Sequence, residues 1–255
     1  MAYALFHMWG GFRQHLIASH VFYVEQSHKR LLSQFNNMES EAEKFSEELL
    51  ENSSKYFDPD RHEPGDFYEM AYDEGIEFYQ LLEDMKNRTY LSVVSGIFHE
   101  WEKQLRGWML NEISHWHQGE EVKKAIWRAN FIEIIKFFET LGWSIKSRGY
   151  YASLDRCRLV TNVFKHGEGG AFNVLKSKHP EFISTVKMDG MTFIEFSDYS
   201  DLKIDKKHIA EFSEAIIDFW NDVPEYIHSS DSLNLPSWFE KAYSKDQANK
   251  TEKVT

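Results

Sequence analysis

The segment Thr89-Tyr-Leu-Ser-Val-Val-Ser-Gly-Ile-Phe-His-Glu-Trp-Glu-Lys-Gln-Leu-Arg-Gly-Trp-Met-Leu-Asn-Glu-Ile-Ser-His115 decides the fold. Its apolar residues Val94, Ile97, Phe98, Trp101, Leu105, Trp108 and Met109 recur at the three- and four-residue spacing of one helical face. Thr89 suits the N-cap, because its hydroxyl can accept a bond from a free backbone N–H. The segment lies in a stretch between Pro64 and Pro180 that contains no other proline. A stretch rich in Leu, Ile, Phe, Glu and Lys without proline predicts helices throughout.

Working outward, the N-terminal side predicts a helix from about Phe12 to about Tyr56 with a break near Asn36-Asn37. The loop Asp58-Pro-Asp-Arg-His-Glu-Pro-Gly65 and a helix from about Asp66 to Met85 follow. On the other side, a helix from about Glu120 to Leu141 stops at Gly142, and one from Tyr151 to His166 stops at Gly167. Thr185 to Phe196 alternates around Asp189-Gly190, which predicts a tight hairpin. Asp205 then caps a helix reaching Phe219 or Tyr226, and the polar residues from Ser244 onward read as a disordered tail. The expected fold is all-α: an antiparallel helical bundle over 89–228, with a helical extension over 1–88, a small β-hairpin at about 185–196 and a tail over 229–255.

Composition bounds the function. The single cysteine, Cys157, allows neither an internal disulfide nor a Cys-rich zinc site and fits a reducing compartment. No basic leader and no long apolar run precedes or interrupts the helices, so the chain reads as a full-length cytoplasmic protein without a membrane span. The net charge of −12 argues against general nucleic-acid affinity. The charge is unevenly placed: 37–86 holds sixteen acidic and four basic residues, net −12. By contrast, Lys146 to His179 holds Lys146, Arg148, Arg156, Arg158, Lys165, Lys176 and Lys178 against Asp155 and Glu168, net +5.

Within that basic segment lies Leu154-Asp-Arg-Cys-Arg-Leu-Val-Thr-Asn-Val-Phe-Lys-His-Gly-Glu-Gly-Gly170. On a helix Asp155, Arg158, Asn162 and His166 fall on one polar stripe. Leu154, Cys157, Val160, Thr161 and Phe164 cover the opposite side, flanked by Leu159 and Val163. Two readings of the stripe stand side by side. Structurally, cations in the last turn complement the helix dipole, glycine caps the helix, and Arg158 pairs with Asp155. Functionally, the stripe presents a guanidinium, an amide and an imidazole in line, and the helix end exposes His166.

Asn162-x-x-Lys165-His166-Gly167 at a helix end, preceded by an arginine and followed by Gly-Glu-Gly, resembles the signature helix of HEPN domains (higher eukaryotes and prokaryotes nucleotide-binding). The resemblance covers roughly Tyr90 to Gly170, with Phe98-His-Glu-Trp-Glu-Lys-Gln-Leu105 similar to the acidic helix that precedes the signature. It implies an all-α, usually dimeric domain of the kind found in bacterial toxin–antitoxin and phage-defence systems. Active members are metal-independent ribonucleases that use no cofactor. By resemblance His166 is the proton carrier, Asn162 the polar position, and Arg158 the cation at the phosphate. Lys165, Arg156, Lys176 and Lys178 would hold the RNA backbone. The place before Asn162, where the family arginine usually stands, holds Thr161, and Arg158 lies eight positions before His166. That separation is about 12 Å of helical rise.

His99, His115 and His117, with Glu100, Glu102 and Glu112, lack metal-ligand spacing and read as loop and core residues. His15, His20 and His28 read as partly solvated positions of the first helix, and Trp127, Phe131, Phe137 and Phe138 as core or interface. Two functions follow. One is a HEPN-like endoribonuclease acting on RNA as a homodimer, with the Tyr151–His166 helix near the two-fold axis. The other is a catalytically silent HEPN-like scaffold that dimerises and binds an antitoxin, a defence-system partner protein or a nucleotide through the same stripe.

Overall fold

A computed structural model describes residues 3–188, 191–229 and 235–252. The fold is all-α with two small antiparallel β-ladders. The helices are α1 (Gly10–Arg30), α2 (Met38–Ser54), α3 (Pro64–Ser114), α4 (Glu120–Arg128), α5 (Phe131–Thr140), α6 (Tyr151–His166), α7 (Gly170–Lys178), α8 (Lys206–Asp222) and α9 (Ser237–Glu252). The strands are β1 (Ala4–His7), β2 (Val186–Met188), β3 (Met191–Phe193) and β4 (Tyr226–His228). No helix among the described residues is long and apolar enough to cross a membrane.

The stripe read from the sequence is the core of the molecule. Val94, Ile97, Phe98, Trp101, Leu105, Trp108 and Met109 are all buried. The Trp101 ring stands edge-on to Phe219 at 5.0 Å and tilts against Phe98 and Phe131. Around this half of α3 pack α1, α6, α8 and β1. Helices α1 and α8 run antiparallel: Arg13 of α1 donates to the Asn221 and Val223 carbonyls at the C-terminal end of α8, and His20 meets Ser213 about two turns away. Helix α6 also lies antiparallel to α8, with Tyr150 at Asp222 and Arg156 at Glu211.

Several boundaries differ from the sequence reading. The break near Asn36-Asn37 is present, as a short 3-10 turn over Leu32–Phe35 between α1 and α2. The expected helices at 66–85 and 89–115 are one 51-residue helix, so a division at residue 88 falls inside α3. Asn87, in the middle of it, does not break the helix. Its amide donates to the Leu202 carbonyl at 2.7 Å and accepts from Ile204 N–H at 3.2 Å. The expected helix from Glu120 to Leu141 is instead two, because Asn130 caps α5 with a reciprocal bond to Glu133. The hairpin strands β2 and β3 pair with Met188 opposite Met191; the turn Asp189-Gly190 lies outside the described residues.

Two further corrections concern the chain ends. Strand β1 pairs antiparallel with β4, a ladder that the sequence reading did not contain. It places Phe6, fully buried, against Trp108, Phe137 and Phe138. The segment read as a disordered tail is largely α9, which packs on α4. Its Asp246 is buried and supplies the N-terminal cap that α4 lacks locally: Oδ1 accepts from Glu121 N–H at 3.0 Å and Oδ2 from Val122 N–H at 2.9 Å. His117 Nε2 lies 3.1 Å from Oδ2. Burial opposes ionisation of this carboxyl, but the two backbone donors and His117 outweigh it and hold the acid below the usual carboxylate range. Gly119 is required here, since a Cβ would stand 2.0 Å from Asp246 Oδ2.

His20 also departs from its expected solvation. It is buried, and burial lowers its pKa from 6.5 to about 4, against a raising contribution from Ser213.

Two predictions follow from this packing. Asp246→Ala leaves the first turn of α4 uncapped and His117 buried without its carboxylate. It should cost about 2–3 kcal/mol in urea unfolding and speed amide exchange in both α4 and α9. The second concerns pH. In the unfolded chain His20 takes its proton near pH 6.5, while in the folded protein it resists to about 4. The stability from its burial is therefore complete above pH 6.5 and is lost as pH falls towards 4, a loss of about 3 kcal/mol. His20→Gln should flatten that limb of the stability–pH curve.

Candidate functional site

Helix α6 is set in place by its entry. Asp222 Oδ2, at the end of α8, accepts from the Trp143 indole at 2.8 Å and the Tyr150 hydroxyl at 2.8 Å, and pairs with Arg148 at 3.0 Å. From this anchor α6 buries Leu154, Cys157, Leu159, Val160, Thr161 and Val163. Complete burial pushes the Cys157 thiol far up, so it is no nucleophile. The helix stops at Gly167, whose φ of +70° favours glycine. Beyond it the Glu168 carboxylate accepts from Tyr199 N–H at 3.1 Å and brings the Tyr199 ring over Gly167.

The polar stripe is present, but its members are differently engaged. Arg158 Nε and its terminal nitrogen both lie 2.7 Å from Asp155 Oδ1, and the guanidinium sits 6.0 Å above the Phe131 ring. Asp155 is one turn towards the start of α6, so this pair draws the guanidinium away from His166. Within one chain the structure does not bring Arg158 and His166 together. Asn162 is half-buried and His166 is exposed at the helix end.

The basic segment is largely neutralised by the fold. Lys146 pairs with Glu139, Arg148 with Asp222, Arg156 with Glu211 and Arg158 with Asp155. Arg156 also donates to Ser153, so its charge is spent against α8 rather than presented to a ligand. Lys176 donates to the Ser197 carbonyl at 2.9 Å and lies over Phe172. Of the residues expected to hold RNA, Lys165 and Lys178 alone are exposed with no carboxylate or carbonyl partner among the described residues. The net +5 of the sequence is thus a much weaker surface field.

The structure adds groups that the sequence reading did not assign. Phe164, expected in the core, is 39% exposed, although its neighbour Val163 is buried. Tyr199 and Phe196 are exposed in the loop that crosses that end. His99 of α3 lies near Lys165. Its pKa is lowered first by burial and further by the Lys165 and Lys103 charges, against the opposing charge of Glu102. The end of α6 therefore gathers an imidazole, a free ammonium and exposed aromatic rings, the elements from which single-stranded nucleic-acid sites are built. Trp127 is also half exposed, whereas Phe131, Phe137 and Phe138 are buried. Among the described residues no group of three or more His, Cys, Asp or Glu side chains is placed to hold a metal ion.

Comparison with known proteins finds no matching family model, no similar curated protein and no matching solved structure.

The burial along α6 predicts a graded response to truncation. Leu159→Ala should cost about 2–5 kcal/mol, as large-to-small core changes do. Phe164→Ala and His166→Ala should each cost under about 1 kcal/mol in chemical denaturation.

Proposed function

We propose that the chain is a HEPN-like, metal-independent endoribonuclease that works as a homodimer through His166. The observation that carries the reading is the exposed His166 at the glycine-terminated end of α6, beside Lys165, Phe164 and the Tyr199 ring. The chemistry needs little else. The ribose 2′-hydroxyl attacks the adjacent phosphorus, giving a 2′,3′-cyclic phosphate and releasing the 5′-hydroxyl of the next nucleotide. A proton leaves the attacking oxygen and another reaches the departing one. Histidine is the side chain that titrates nearest neutrality and can serve both ends. Exposed aromatic rings give the flanking bases a surface to stack on.

The cation comes from Arg158. Its pair with Asp155 is partly solvated, and such a pair is worth about 0–1 kcal/mol. A phosphate, which accepts two parallel N–H bonds from a guanidinium, can displace it. Dimerisation closes the remaining gap. Asn162 lies midway between Arg158 and His166 in sequence. Two α6 helices crossing antiparallel on a two-fold axis at Asn162 would set Arg158 of each chain beside the partner's His166. This arrangement needs no single chain to span about 12 Å.

The Arg158–Asp155 pair also favours a second reading, a silent scaffold in which the stripe is structural and dimerises or binds a partner protein or a nucleotide. The two separate in one assay with single-stranded RNA in EDTA. Wild type should cleave, His166→Ala should lose about 10²–10⁴ in rate, and Asp155→Asn, which frees Arg158, should cleave faster. An exchanged mixture of Arg158→Ala and His166→Ala chains should regain activity through the one intact composite site. Wild type as inert as His166→Ala would leave the scaffold standing.

A further inference from the structure

Helix α2 and the first half of α3 form an antiparallel two-helix arm, in which Ser46 Oγ donates to the Ala71 carbonyl and Phe45 stacks on Phe78 at 4.5 Å. The arm closes tightly along one line. A Cβ on Gly75 would stand 3.0 Å from the Ser46 Cβ and 3.5 Å from the Ala42 carbonyl oxygen, so the two backbones approach closely there. Yet the arm buries little. Over 38–85 the buried residues are Met38, Ala42, Ala71 and Gly75, three of which have almost no side chain. A helix pair with so small a seam is marginal by itself, because helices in water owe most of their stability to the packing of an apolar face.

Beside that seam runs a groove of about 590 Å³, floored by Ala42, Gly75 and Ile76 and flanked by Tyr72 and Tyr79. Tyr72 is 66% and Ile76 42% exposed. One wall carries Glu39, Glu43 and Glu47, at the four-residue spacing that puts them on one helical face. No salt bridge to any of the three is found among the described residues. The groove thus has a helix-sized apolar floor and one uncompensated acidic edge.

We infer that this groove is the docking site for a basic amphipathic helix of a partner protein, apolar side chains seated on Tyr72, Ile76 and Ala42 and Lys or Arg paired with Glu39, Glu43 and Glu47. Charge complementarity selects the occupant. The arm sequence, 37–86, carries a net charge of −12, so a second copy would bring like charge against like. A basic helix instead neutralises the wall and supplies the third apolar face that the two-helix arm lacks. The inference does not rest on the ribonuclease reading, and its site is separate from α6.

The test uses the full chain and a labelled synthetic helix of about 18 residues, leucines on one face and lysines on the other. Controls are a scrambled peptide of equal composition and a leucine–glutamate helix. Fluorescence anisotropy should show saturable binding of the leucine–lysine helix alone, weakening as salt rises. Joint Glu39→Gln, Glu43→Gln and Glu47→Gln substitution should weaken it by about tenfold, and Ile76→Asp should abolish it. Tyr72→Ser, at a mostly exposed position, guards against loss of the fold and should weaken binding with an unchanged circular dichroism spectrum. The inference fails if the scrambled peptide binds equally or if the substitutions are without effect. It also fails if sedimentation shows self-association that Ile76→Asp reverses, which would assign the groove to a second copy.

Discussion

The fold depends on where Trp101 can be desolvated. Its ring is met edge-on by Phe219 of α8 and at a tilt by Phe98 of α3 and Phe131 of α5. Aromatic rings packed edge to face satisfy both their area and their quadrupole. This arrangement forces α5 and α8 to approach α3 at one level, and α6 enters the same shell through the Asp222 anchor. The position of His166 is therefore set by the anchor at the start of α6 together with the buried face that runs along the helix to Val163.

Helix α3 gives the molecule two halves that obey different rules. Its second half is surrounded and apolar, while its first half has α2 as its main neighbour and stays acidic and wet. The same continuous backbone serves both. It holds Ile76, on the arm, roughly 35 Å along the axis from His99, which lies near the end of α6. Anything bound at the arm is held at a fixed offset from that end.

Much of this was legible in the sequence, and the failures have physical causes. The stripe from Val94 to Met109, the Gly142 and Gly167 stops, the Asp205 cap and the β2–β3 hairpin are local signals, complete within a few residues. The Asn130–Glu133 capping box is also local and could have divided α4 from α5. Strand β1 was hidden because its partner lies more than two hundred residues away and the strand has only four residues. Helix α9 was hidden because its second half is polar and its seat is made elsewhere in the chain: Phe239 packs on Trp116 and Phe137, and the value of Asp246 depends on the uncapped N-terminus of α4. At the site, the Asp155–Arg158 pair was foreseeable from spacing, but Glu211 gave no sign of neutralising Arg156.

The cap that α9 supplies has a consequence for the order in which the chain matures. Helical proteins usually fold fast because their contacts are near in sequence. Here the closing contacts are remote: Tyr3 N–H to Ser229, 226 residues apart, and Asp246 to Glu121 and Val122, about half the chain apart. During synthesis α3 precedes the elements that complete its surroundings: β1 has no partner until β4 is made, and α4 has no cap until α9 is made. These two long-range contacts thus close only after the helices that they hold have been made.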